Sequence, residues 1–61
     1  MKAIIKNNIF TMKTQGCEVE ILKKLDNKCD VKILTQPNKH KKAIPVGKVL
    51  NINNYDLEFI Q

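Results

Sequence analysis

The residues best equipped for chemistry stand in one stretch, "PNKHKKAIPVGK" at positions 37–48. It holds four lysines and the only histidine between two prolines and a glycine. Clustered ammonium groups attract phosphate. Lys39, Lys41 and Lys42 would release counterions from a polyanionic backbone and give an affinity that falls with salt. His40 adds a ring able to stack or to hydrogen-bond. The competing reading is a solvated turn whose lysines only discourage strands from pairing edge to edge. Lys28, Lys32 and Lys48 extend the patch if the fold gathers them on one side.

Other chemistries find weaker support. Cys17 and Cys29 cannot build the multi-bridge framework of a small secreted scaffold, and they read as free thiols. A metal site needs about four ligands, and one histidine with two cysteines does not supply a recognisable set. The six acids and the lone histidine form no nucleophile or histidine–carboxylate motif, so no enzymatic activity and no cofactor are expected. The Gly–Lys pair in "AIPVGK" lacks the second glycine and the Ser or Thr of a phosphate-binding loop. Asp56 and Glu58 alternate along a strand and read as a solvated face.

Composition bounds the rest. With 61 residues the chain is read as one domain, 1–61, with a marginal core and little room for an enclosed pocket. Hydrophobic residues make up 43%, enough for a folded core, and only Phe10, Tyr55 and Phe59 are aromatic. Eleven lysines against six acids give a net charge of +5 without any arginine. A basic excess favours polyanionic partners. Lysine is a point charge and lacks the bidentate fork of arginine, so contacts with nucleic acid would be weakly sequence-selective. A low-GC genome would produce the same Lys, Asn and Ile bias without selection for binding. No apolar run approaches a membrane span and no signal-peptide core is visible. The expectation is a cytoplasmic protein beginning at Met1, without membrane association, monomeric or weakly self-associating.

The elements that must position these residues read as strands. In "CEVEI", Cys17, Val19 and Ile21 alternate with Glu18 and Glu20; in "CDVKI", Cys29, Val31 and Ile33 alternate with Asp30 and Lys32. This period of two marks half-buried strands, and Asp26 and Asn27 between them suit a tight turn. Cys17 and Cys29 fall on the apolar faces and are expected in the core. "KAIIK", "IFTMK", "KAIPV" and "YDLEFI" read as further extended segments. Pro45 would confine its strand to an edge. A 3₁₀ turn is expected near 47–50, and Asn51, Asn53 and Asn54 mark a loop. In the last segment Tyr55, Leu57 and Phe59 share one face; Phe10 and Tyr55 are the candidates for a base-stacking platform.

Five or six short antiparallel strands in so few residues predict an all-β fold, a small barrel that protects its edges by closure. The order of long hairpin, basic loop, "AIPVGKVL" and final strand resembles an SH3-like barrel over roughly residues 17 to 60. The acidic, tyrosine-rich motif of eukaryotic SH3 domains and a ligand-gripping tryptophan are both absent, so proline-peptide recognition is not carried over. Among bacterial small barrels, such loops contact RNA, DNA or ribosomal proteins, and the resemblance implies the same here. The leading expectation is a non-enzymatic module that engages nucleic acid through 39–42. The second is a protein–protein adaptor or inhibitor, a phage or plasmid product acting on a host or defence protein. There the contact would be an edge strand, an apolar patch or an acidic partner surface steered by charge.

Overall fold

The alternation on either side of Asp26 and Asn27 forms the central hairpin. In the computed structural model, which describes residues 1–7, 11–39 and 42–60, β2 (Glu18–Lys24) and β3 (Lys28–Ile33) pair antiparallel. Three further strands complete one sheet: β1 (Lys2–Ile5), β4 (Val49–Asn53) and β5 (Leu57–Phe59). Their order is β4-β3-β2-β1-β5, with every neighbouring pair antiparallel. Among the described residues a single 3₁₀ turn, Asn54–Asp56, joins the last two strands. No described helix is long and apolar enough to cross a membrane.

The sheet is curled but not closed. β4 and β5 are its two edges, yet only Asn54–Asp56 separates them in sequence. Four strand spacings on a flat sheet amount to about 19 Å, and a chain advancing about 2 Å per residue through a 3₁₀ turn cannot span that width. The sheet must bend to bring its edges near one another. A β-bulge assists. The register steps from Ile21↔Val31 to Lys23↔Asp30, so Leu22 is an extra residue on β2. Such an insertion bends the strand and increases its twist. The closure expected of a barrel is not made by strand pairing, because β4 and β5 do not hydrogen-bond as a ladder.

The concave side carries the core. Ala3, Ile5, Cys17, Val19, Cys29, Val31, Ile33 and Leu57 are buried, with Ile21, Ile44, Leu50 and Ile52 packed against them. Both cysteines are fully buried with free thiols, as their strand positions predicted. The Cys29 thiol donates to Asn54 Oδ1 (3.1 Å), and the Asn54 N–H donates to the Asn27 carbonyl (2.9 Å). These two bonds fasten the 3₁₀ turn to the hairpin. The bulge also resets the side-chain alternation, placing Lys24 opposite Cys29, where its ammonium lies 5.1 Å from the Phe59 ring centroid. That exposed cation–π contact contributes about 0.5–1 kcal/mol.

Four expected elements differ. The "IFTMK" segment is not extended over its described part: residues 12–16 form turns, with the Thr14 and Gln15 N–H groups both donating to the Thr11 carbonyl (2.9 and 2.6 Å). "KAIPV" is not a strand, because the Ile44 N–H donates to Lys13 of a neighbouring loop and the Ile44 carbonyl accepts from Gln36 of its own. The 3₁₀ turn lies at 54–56 rather than near 47–50, where a tight turn instead leads into β4. There the Lys48 N–H donates to the Pro45 carbonyl (3.3 Å), and Gly47 takes φ +92°, as the third position of a type II turn requires. Asn51 and Asn53 therefore belong to β4 and not to a loop. Finally, Leu57 alone of Tyr55, Leu57 and Phe59 is buried; Tyr55 stands on the 3₁₀ turn at 81% exposure.

A core of eight small or medium side chains tolerates little loss. Ile33→Ala is expected to cost about 2–5 kcal/mol and Ile33→Val about 0.5–1.5 kcal/mol. Urea denaturation should show the first variant losing most of its cooperative transition. Equal midpoints for the two variants would contradict this placement of the core.

Candidate functional site

The two longest connections, residues 6–16 and 34–48, are each tied at the base to the sheet. The Gly16 N–H donates to the Ile5 carbonyl (2.8 Å) and the Ile5 N–H to the Cys17 carbonyl (3.0 Å). The second loop closes in the same manner: the Gly47 N–H donates to the Ile33 carbonyl (2.8 Å) and the Ile33 N–H to the Lys48 carbonyl (3.0 Å). Gly16 has φ +81°, and a Cβ there would lie 3.3 Å from Pro37 Cγ, so this glycine permits both the turn and the close approach of the other loop.

Gln36 is the fastener between them. Its side-chain amide donates to the carbonyls of Lys13 (3.3 Å) and Ile44 (2.5 Å), while its Oε1 accepts the Asn38 N–H (2.9 Å). The Ile44 N–H donates to the Lys13 carbonyl (3.2 Å), and Asn38 Nδ2 donates to the Met12 carbonyl (2.7 Å). Beneath, Thr11 and Thr14 are buried; the Thr11 hydroxyl donates to the Lys6 carbonyl (2.5 Å). Burial pushes the Cys17 thiol above its ordinary value of 9.0, against the smaller opposing effect of a hydrogen bond with Gln36. The thiol at the base of the loops is thus held protonated at neutral pH and suits packing rather than nucleophilic chemistry.

This junction determines which lysines share a surface. Lys39 and Lys42 are exposed in the second loop, and the loop contacts on either side of them reach Met12 and Lys13. Lys13, also exposed, joins them although the sequence reading passed over it. His40 and Lys41 lie outside the described residues, as does Phe10. Lys48 is exposed at the base of the loop. Lys28 and Lys32 are separate. Lys32 faces outward directly opposite Glu20, with Lys2 beyond it on β1, so charges alternate across the sheet. Lys28 begins β3, about 17 Å along the strand from Ile33, where the loop starts.

Charge follows the same division. Residues 6–16 and 34–48 together contain six lysines and no acid, while the remaining residues contain five lysines and six acids. The whole positive excess therefore belongs to the two joined loops. The signal that would have found Lys13 was present: no acid occurs before Glu18, nor between Asp30 and Asp56. Between the loops lies a cavity of about 350 Å³, lined among the described residues by Met12, Lys13, Gln15 and Asn38. No group of three or more His, Cys, Asp or Glu residues able to hold a metal occurs among the described residues. No protein-family model, curated protein or solved structure matches this chain.

Gln36→Ala removes the amide that donates to the Ile44 carbonyl and the oxygen that accepts the Asn38 N–H. The expected cost is about 1–3 kcal/mol. Native-state hydrogen exchange should rise more at Asn38 and Ile44 than at Val31 in the core. A uniform rise at all three would mean that the loops have no local stability of their own.

Proposed function

We propose that this chain is a non-enzymatic binding module that engages nucleic acid electrostatically through its joined loops. The observation that carries this reading is the segregation of charge: the loops fastened by Gln36 hold every lysine of the excess and no acid. A phosphate backbone meeting that surface gains ammonium contacts from Lys13, Lys39 and Lys42, and releases counterions to solvent. Lys41 belongs to the same loop by sequence, and Lys48 borders it. Lys28 contributes little because it stands at the far end of β3, and Lys32 is offset by Glu20. Without arginine the contacts position a strand and do not read its bases by bidentate pairing. The 3₁₀ turn ahead of the final strand supports the SH3-like architecture, here as an open and curled sheet.

A second reading, a protein–protein adaptor, draws on β4. This edge strand, "VLNIN", carries no charged side chain, and Val49 is half exposed. An uncharged edge accepts an added strand from a partner.

Salt-dependent binding separates the two. Fluorescence anisotropy with a labelled single-stranded oligonucleotide should give a log–log salt slope of about −3 to −4, as four to six phosphate contacts produce. Lys13→Ala, Lys39→Ala and Lys42→Ala should each reduce the slope by roughly 0.7, and Lys28→Ala should leave it unchanged. Absence of binding even at low salt would reject the nucleic-acid reading in favour of the adaptor.

A further inference from the structure

One feature of the loop junction inverts the usual order of burial. Met12 is 67% exposed while its neighbours Thr11 and Thr14 are 3% and 5% exposed. The inward threonines hold the turn through their hydroxyls, donating to the Lys6 carbonyl and, at 3.4 Å, to the Thr11 carbonyl. Met12 is thereby turned outward, with its own carbonyl fixed by Asn38 Nδ2. It forms a wall of the cavity of about 350 Å³, whose other described walls are Lys13, Gln15 and Asn38. That volume is at the small end of ligand pockets, which run from about 300 to 1,000 Å³.

We infer that this cavity accepts one unstacked base of a single-stranded nucleic acid, an inference that rests on the nucleic-acid reading above. Three properties select that occupant. A thioether makes favourable contacts with aromatic rings and adapts to their shape, so the Met12 side chain suits the face or edge of a planar heterocycle. Gln15 lines the same space, and its side-chain amide has the donor and acceptor chemistry of base edges. Lys13 supplies a cation beside the cavity, where the attached phosphate must pass, within loops that contain no acid. A base still paired and stacked in a duplex cannot enter unless it is first extruded, which costs unstacking and unpairing energy. The cavity thus adds to a charge-based surface a preference for single strands, with tolerance for base identity because every base has a π-face.

The test uses the intact chain and three labelled probes of equal length: a single strand, the same strand with its bases removed, and the corresponding duplex. Anisotropy is read at one moderate salt concentration. The single strand should bind about fivefold or more tightly than its abasic counterpart, which carries the same phosphates. Met12→Ala should abolish that difference while leaving duplex binding unchanged; thermal melting checks that this exposed substitution does not alter the fold. Equal affinity for the single and abasic strands overturns the inference and leaves the electrostatic reading standing. A nucleoside monophosphate binding as tightly as the strand also overturns it, because the occupant would then be a free nucleotide. Failure of all probes to bind removes the nucleic-acid reading itself.

Discussion

Three residues carry the chain from one edge of the sheet to the other, and the rest of the structure answers to that constraint. Asn54–Asp56 is too short to cross five flat strands, so the sheet must curl, and the curl gives a 61-residue chain an interior at all. Leu22, the extra residue at the bulge, supplies local bending. Bonds from Cys29 to Asn54 and from Asn54 to Asn27 hold the crossing against the hairpin. The core that results is built from small and medium side chains, and its two cysteines serve there as compact apolar groups.

The same economy explains where the charge went. A curled sheet this small has no space for lysines inside, and on its convex face Lys2, Glu20 and Lys32 alternate in sign along one row. The loops are the remaining place for an unbalanced charge. Gathering positive groups costs self-repulsion, and the loops do so while being held together by neutral groups: the amides of Gln36 and Asn38 and the backbone of Lys13 and Ile44. These bonds between the loops use amide and carbonyl groups and no ammonium group.

What could be read from the sequence followed from the range of the interaction that sets each feature. The central hairpin was legible because side-chain alternation and a two-residue turn are local signals, and the burial of Cys17 and Cys29 followed from it. β4 was obscured by its own asparagines: "LNIN" alternates as a strand should, but Asn51 and Asn53 favour turns in isolation. "YDLEFI" alternates from its first residue, yet Tyr55 and Asp56 are taken by the 3₁₀ crossing, a demand of sheet width that no local pattern encodes. Ile44 is apolar but does not join the sheet, because Lys13, distant in sequence, and Gln36 of its own loop occupy its backbone groups. The basic loop was visible as a cluster. Its partnership with Lys13 depended on the same long-range bonds, although the acid-free segments on both sides pointed to it.

The central claim is that two loops, separated in sequence, act as one surface. An NMR titration of isotopically labelled protein with a short single-stranded oligonucleotide tests it most directly. The account predicts concerted shifts in the amides of 12–16 and 36–44 that fit one dissociation constant and diminish together as salt is added. Shifts confined to β4 and the 3₁₀ turn, or different midpoints for the two loops, would contradict it.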